Sequence, residues 1–261
     1  MMHYGFCHIA IAPLRKENSE QSEQVSQLLF GDVFSVLDRN NGRLLVQTFD
    51  DSYIGWVDEK QVIALNAHEY ESYTQSSKQF VKEAISYVFQ TNTVTGEKII
   101  YPVYLGSQIV SPKFQLNKIV FEIAESSLTK NLNISPLHLT TIALKYLSAP
   151  YLWGGKSLFG IDCSGLTQMC FKQIGVNLLR DASEQITQGE EVEDLASAQK
   201  ADLCFFTNND GKVVHVGIYL GKNQIIHSSG QVRIDSIDEK GIFRADTHIY
   251  THNLYKIKRY L

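Results

Sequence analysis

Cys163 stands in Tyr151-Leu-Trp-Gly-Gly-Lys-Ser-Leu-Phe-Gly-Ile-Asp-Cys-Ser-Gly-Leu166, a glycine-rich loop that runs into the helix-spaced apolar residues Leu166, Met169, Cys170 and Ile174. The spacing predicts a helix that opens at Cys163 and stops near Gly175. A thiol at a helix start faces unpaired N–H groups and the positive end of the helix dipole, which favour the thiolate. An isolated cysteine is usually a small buried apolar residue, but two downstream histidines change the odds. In Val213-Val-His-Val-Gly-Ile-Tyr-Leu220 the alternation sets His215, Gly217 and Tyr219 on one face, and the next apolar run carries His227. A chain reversal about Gly221 places residue 215 directly opposite 227, with side chains about 5 Å apart on one face. Cys163, His215 and His227 then supply the nucleophile, base and orienting group of covalent catalysis. A Cys-His-His zinc site is the other reading of these residues, but their wide spacing is unlike most such sites. No metal and no cofactor are expected.

These side chains need a scaffold of helices followed by strands. Ser135-Pro136 reads as an N-cap and first helical residue, opening a helix to Leu147. After the cysteine helix, Arg180 to Gln185 lead into a short helix that stops near Gly189. Strands follow at 202–207, 213–220, 224–228, 232–234 and 255–260, which makes residues 127–261 an α+β domain with an antiparallel sheet. Residues 127–135, containing Asn131, Asn133 and Ser135, read as a linker leading into it.

Upstream, residues 1–64 read as a small barrel of short strands at 6–12, 32–37, 43–49 and 54–57, with Asn41-Gly42 as a hairpin turn. Trp56 fits a core aromatic, and Tyr53, beside Asp51 and Ser52, an exposed loop position. Residues 65–126 alternate apolar runs with turn residues, so a second, degenerate barrel is expected there, with a helical start near Ser76 to Ile85.

The chain has 261 residues, 44% of them hydrophobic and 20% charged, enough for two or three small domains. A net charge of −4 disfavours nucleic acid as a partner. No apolar run approaches the ~20 residues of a membrane span. The N-terminal stretch has no basic n-region, and His3 and His8 interrupt its apolar residues, so it reads as a strand rather than a leader. Cys7, Cys163, Cys170 and Cys204 form no C-x-x-C pair, and reduced thiols in the cytoplasm are expected. A periplasmic or secreted location is the alternative, should a leader have been removed.

Pro150-Tyr-Leu-Trp-Gly-Gly, Asp162-Cys-Ser-Gly, Arg180-Asp-Ala, His215-Val-Gly-Ile-Tyr-Leu-Gly and then His227 make residues 136–261 resemble the NlpC/P60 cysteine peptidases, which hydrolyse peptidoglycan peptides on a papain-like fold. The resemblance implies Cys163 as nucleophile, His215 as base, His227 as third polar member, and Tyr151 beside the Cys163 N–H at the oxyanion. Gln27 to Asp32 and Asp51 to Val57 resemble bacterial SH3-like modules. The whole chain is similar to the γ-D-glutamyl-L-diamino acid endopeptidases (dipeptidyl peptidase VI, YkfC-like). That likeness implies a free murein peptide as partner, L-Ala-γ-D-Glu followed by L-Lys or diaminopimelate, and a monomeric enzyme. It assigns Glu23 and Tyr53 to the substrate's free amine, Asp162 and Ser164 to the γ-D-Glu group, and Asp181 or Ser183 to the same region. A wall endopeptidase or amidase with SH3-like anchors, a vestigial binding protein and an acyltransferase are the competing readings.

Overall fold

In the computed structural model, which describes residues 2–129 and 132–261, Asn41-Gly42 closes a hairpin as expected, both with positive φ (51° and 75°). Asn131 of the expected linker lies outside the described residues. The hairpin joins β4 (Val33–Asn40) to β5 (Arg43–Thr48), in a sheet with β1 (Tyr4–Cys7), β2 (Ile11–Arg15), β3 (Gln24–Leu29), β6 (Ile54–Asp58) and β7 (Val62–Leu65). The order is β3-β2-β6-β5-β4-β1-β7. The run 6–12, read as one strand, divides into β1 and β2. β1 pairs with β4 and β7, whereas β2 pairs with β3 and β6, and the chain bends between them to change neighbours. Cys7, Leu14, Leu28, Phe34, Val46 and Val57 fill the core.

The first helix comes earlier than the expected start near Ser76. It is α1 (Ala67–Gln75), opened by a capping box in which the Asn66 side chain accepts from Glu69 N–H and the Glu69 carboxylate accepts from Asn66 N–H. β8 (Gln79–Phe80), β9 (Ile85–Asn92), β10 (Lys98–Tyr104), β11 (Gln108–Ile109), β12 (Lys113–Leu116) and β13 (Ile119–Ile123) follow. They form a four-stranded sheet, β10-β9-β13-β12, and a β8-β11 ladder. One core cluster takes Phe6 and Val33 from the first strands, Phe30 from the turn after β3, and Val88, Val103 and Phe121 from these. Met1–Leu132 is one compact unit and Asn133–Leu261 another.

The second unit opens with α2 (Pro136–Lys145), capped by Ser135 Oγ, which accepts from His138 N–H at 3.3 Å. Two short strands, β14 (Lys156–Ser157) and β15 (Gly160–Ile161), pair across a loop and deliver the chain to α3 (Cys163–Lys172). Then come α4 (Ala182–Gln185), β16 (Glu190–Val192), β17 (Leu203–Thr207), β18 (Val213–Gly221), β19 (Gln224–Ser229), β20 (Gln231–Asp238), β21 (Gly241–Arg244) and β22 (Ile249–Arg259). The sheet runs β16-β22-β17-β18-β19-β20-β21, and β21 pairs back onto β22, so six strands close into a barrel. The chain is α+β, as its sequence implies.

α3 is buried along its whole length, so its first turn can shift only with its neighbours. Gly165 sits in that turn, and a Cβ there would lie 2.3 Å from the Gly155 carbonyl oxygen and 2.8 Å from Asp162 Oδ1. The loop backbone and the nucleophile helix therefore touch without room for a side chain. Gly165→Ala is expected to cost about 1–3 kcal/mol of stability, measurable by urea unfolding. It should also slow Cys163 alkylation, because the loop and helix start separate.

Candidate active site

Asp162 is the N-cap of α3, with Oδ1 accepting from Gly165 N–H at 2.6 Å and Oδ2 from Gly154 N–H at 2.8 Å. Arg180, 1% exposed, donates through Nη2 to Oδ2 at 2.6 Å and through Nη1 to Oδ1 at 3.1 Å and Ser164 Oγ at 2.9 Å. The guanidinium thus ties the glycine loop, the helix start and the segment before α4 to one carboxylate. Asp162 and Ser164 lie beside the nucleophile with their polar atoms taken up by this network.

Cys163 is the first residue of α3 and 7% exposed. Burial, aided by the Asp162 charge, pushes its thiol up to about 12, against the pull of N–H contacts from Val216 and Ser164 and of Arg180. The expectation that the helix start alone favours thiolate is therefore corrected. Desolvation outweighs the dipole, and the proton stays on sulfur. The contact with Val216 places the thiol against β18 next to His215. Burial also holds His215 well below 6.5, with His252 and His227 adding to the effect. A neutral thiol therefore meets a neutral imidazole.

His215 and His227 do meet, but not as directly opposed residues. Gly217 pairs with His227, and the chain turns through Lys222 and Asn223, with φ of 54° and 56°. Two consecutive left-handed residues and an irregularity between Tyr219 and Gly221 move the turn's midpoint by one residue and His227's partner by two. His215 sits diagonally across, within reach of a long side chain, and its Nε2 lies 2.8 Å from His227 Nδ1. Gly217 makes this possible: a Cβ there would be 2.9 Å from His227 Cβ. On its other side His215 pairs with Phe206, beside a β-bulge between Phe206 and Thr207.

Tyr151 is half-exposed, its phenol raised to about 12 by burial and then by the nearby Cys163 and Asp162. It stays protonated and can donate. Leu152, Trp153 and Phe159 are exposed in the same loop. Asp181 is the N-cap of α4, where its N–H donates to Glu184 Oε2 at 3.3 Å, and Ser183 is exposed on that helix. Glu23 and Tyr53 belong to the first unit, preceding β3 and β6. Glu23 is exposed and 3.3 Å from Lys16 Nζ, while the Tyr53 N–H donates to Thr48 Oγ1 at 2.8 Å. The structure thus brings Cys163, His215, His227, Tyr151, Asp162 and Ser164 together within the second unit.

Three further side chains join them without having been singled out. Arg180 belongs to a quoted motif, and an arginine beside an apolar run is its one signal. Asp235 Oδ2 lies 2.9 Å from His227 Nε2, and its signal is an acid among the buried positions of Val232-Arg-Ile-Asp-Ser-Ile237. His252, on β22, stacks on His215 with ring centroids 4.1 Å apart and planes 24° apart. Burial, then His227, lowers His252 to about 4, so it is a neutral flat cover over the base. Nitrogens of His215, His227 and His252 lie within 4.8 Å of one another, close enough to attract a transition metal. Two of them already face each other at 2.8 Å, so they form a hydrogen-bonded chain rather than ligands aimed at a common point.

Residues 148–251 match the NlpC/P60 family, and residues 14–62 match the bacterial dipeptidyl-peptidase SH3 domain. Among similar proteins, dipeptidyl-peptidase 6 of Lysinibacillus sphaericus is 40% identical over 110 residues, 40% of this chain and 38% of that protein. The γ-D-glutamyl-L-lysine dipeptidyl-peptidase of Bacillus cereus is 44% identical over 85 residues, 32% of this chain and 25% of that one. The chain therefore spans well under half the length of these relatives. The crystal structure of an NlpC/P60 family protein from Bacillus cereus shares the fold along 99% of both chains, with a TM-score of 0.80 at 19% identity.

The Arg180–Asp162 pair is 1% and 7% exposed at its side chains, so removing one partner strands a buried charge. Arg180→Met is expected to lose about 3–5 kcal/mol, and Arg180→Met with Asp162→Asn to recover much of it. Equal losses in both variants, read from urea midpoints, would show that the unpaired carboxylate is not what costs stability.

Proposed function

We propose that this chain, in which residues 148–251 are an NlpC/P60 domain and residues 14–62 a bacterial dipeptidyl-peptidase SH3 domain, is a cysteine peptidase acting on peptidoglycan peptides. The observation that carries this reading is the Cys163 thiol at a buried helix start, against the strand that bears His215, with His215 hydrogen-bonded to His227. In the acylation step the Cys163 proton passes to His215 as sulfur attacks the scissile carbonyl carbon. The oxyanion is met by the Cys163 N–H and the Tyr151 hydroxyl, and the imidazolium returns the proton to the leaving amine. Water, deprotonated by the same imidazole, then hydrolyses the thioester.

The bond cleaved is proposed to be γ-D-Glu–L-diamino acid in free murein peptides with an N-terminal L-Ala, in the recycling of peptidoglycan. The reading is supported by relatives named γ-D-glutamyl-L-lysine dipeptidyl-peptidase and by the dipeptidyl-peptidase SH3 match. An enzyme that removes dipeptides must recognise an ammonium group, for which the exposed Glu23 carboxylate, with Tyr53, is suited. Cytoplasmic residence is part of the proposal, and the four cysteines, all buried thiols, suit a reducing compartment.

Cleavage of L-Ala-γ-D-Glu-L-Lys should be abolished in Cys163→Ala and should fall about ten- to a hundredfold in kcat/KM when the L-Ala amine is acetylated. Glu23→Gln should shrink that preference while sparing the acetylated peptide. Equal cleavage of both peptides by the native enzyme, or faster digestion of intact sacculi, would replace the recycling reading with wall hydrolysis. The pH profile follows from the buried base. His215 must be neutral to accept a proton, and its value lies well below 6.5, so the acid limb of kcat/KM should fall below pH 6.5. An acid limb above that value would show that His215 is not held neutral by burial.

A further inference from the structure

The hydrogen-bonded chain does not stop at the two histidines. β19 and β20 pair with His227 opposite Arg233 and Ile225 opposite Asp235, so Asp235 reaches His227 on the diagonal. Its Oδ2 is 2.9 Å from His227 Nε2, with His227 0% and Asp235 7% exposed. Arg233 closes on the same carboxylate from the other side, with Nε 2.6 Å from Oδ2 and Nη2 donating to Oδ1 at 2.7 Å. Arg233 also lies 3.6 Å from Asp246, itself paired with Arg244 at 2.6 Å. Burial pushes Asp235 up, but the hydrogen bonds from His227 and Arg233 outweigh it and hold the carboxyl below its usual range.

We propose that Asp235, clamped by Arg233, is a positioning residue that fixes the proton on both histidines, so that His215 presents a bare Nδ1 to the Cys163 thiol. A carboxylate only accepts, so His227 must carry its proton on Nε2. With its one proton on Nε2, His227 has a lone pair on Nδ1, and the 2.8 Å contact then requires the His215 proton on Nε2. That leaves Nδ1 as the basic nitrogen of His215. The opposite arrangement would aim an N–H at the thiol and remove the base. When the Cys163 proton moves to Nδ1, His215 becomes an imidazolium whose Nε2–H still donates to His227. The proton later leaves with the amine, and none passes to Asp235. The rings packed on His215 are His227, His252 and Phe206, and His252 stacks on its face rather than taking its Nε2 proton. This inference rests on the nucleophile and base assigned above.

Two measurements test it, and the tautomer spectra and the alkylation rate do not depend on which peptide is the substrate. Long-range ¹H–¹⁵N correlation spectra of the histidines at neutral pH should show both His215 and His227 as Nε2–H tautomers; His215 protonated at Nδ1 would overturn the proposal. Asp235→Asn is the second probe. With Arg233 Nη2 holding the amide oxygen at the Oδ1 position, the NH₂ faces His227 Nε2 and forces the opposite tautomer down the chain. Cys163 alkylation by iodoacetamide near neutral pH, and kcat with little change in KM, should fall roughly 10²–10⁴-fold. Asp235→Ala, where water can accept from His227, should fall less. A merely structural Asp235 gives the reverse order, the isosteric Asn being the milder change with alkylation unmoved, and that result would overturn the proposal. If alkylation follows the expected order while the murein peptide goes uncleaved, the substrate assignment fails and the positioning role stands.

Discussion

The buried ion pair between Arg180 and Asp162 is the contact on which the second unit's chemistry depends. One carboxylate caps the nucleophile helix, holds the Gly154 N–H of the preceding loop and receives a guanidinium from the segment before α4. A buried pair of this kind contributes little net stability against an apolar replacement, because desolvation of both charges offsets their attraction. What it contributes is registration: three chain segments, at Gly154, Asp162–Gly165 and Arg180, have one arrangement in which both charges are satisfied. Ser164, which shares Arg180 with Asp162, adds to the same constraint.

The second constraint is low dielectric. Cys163, His215, His227 and Asp235 are all nearly inaccessible. Burial disfavours the charged forms of both thiol and imidazole, so the resting pair is neutral and charge separates only as sulfur meets its substrate. In the proposed mechanism the Tyr151 phenol answers that charge on the oxyanion side and the histidine–aspartate chain on the proton side. Hydrogen bonds in such a setting are worth more than in water, and broken ones cost correspondingly more.

Local signals were legible where local physics decides. Ser135-Pro136 and Asn41-Gly42 each specify a cap or turn within a few residues, and each forms as read. The shared face of His215 and His227 followed from strand alternation, whereas their register did not, because Lys222 and Asn223 rather than Gly221 form the turn. The helix at Ala67–Gln75 was displaced for a similar reason, its Asn66–Glu69 capping box going unread. Asp235 and His252 lay beyond any reading of spacing. His252 reaches His215 because β22 closes the barrel, a long-range event to which neighbouring residues give no clue.

The closed barrel bears on what can enter the site. Each of β18, β19 and β20, the strands carrying His215, His227 and Asp235, is paired on both sides. Among the described residues, none of these three strands offers a row of bare amides to which an extended polypeptide could add. Substrate capture by strand addition, a common way of holding ordinary peptide backbone, is closed off there. The γ-linked, D-configured peptide of the proposed function cannot keep the repeat of such a ladder and would lose nothing by its absence. An ordinary protein segment loses a main means of being held. The same pairing that fixes the histidines therefore closes these three strands to chain addition.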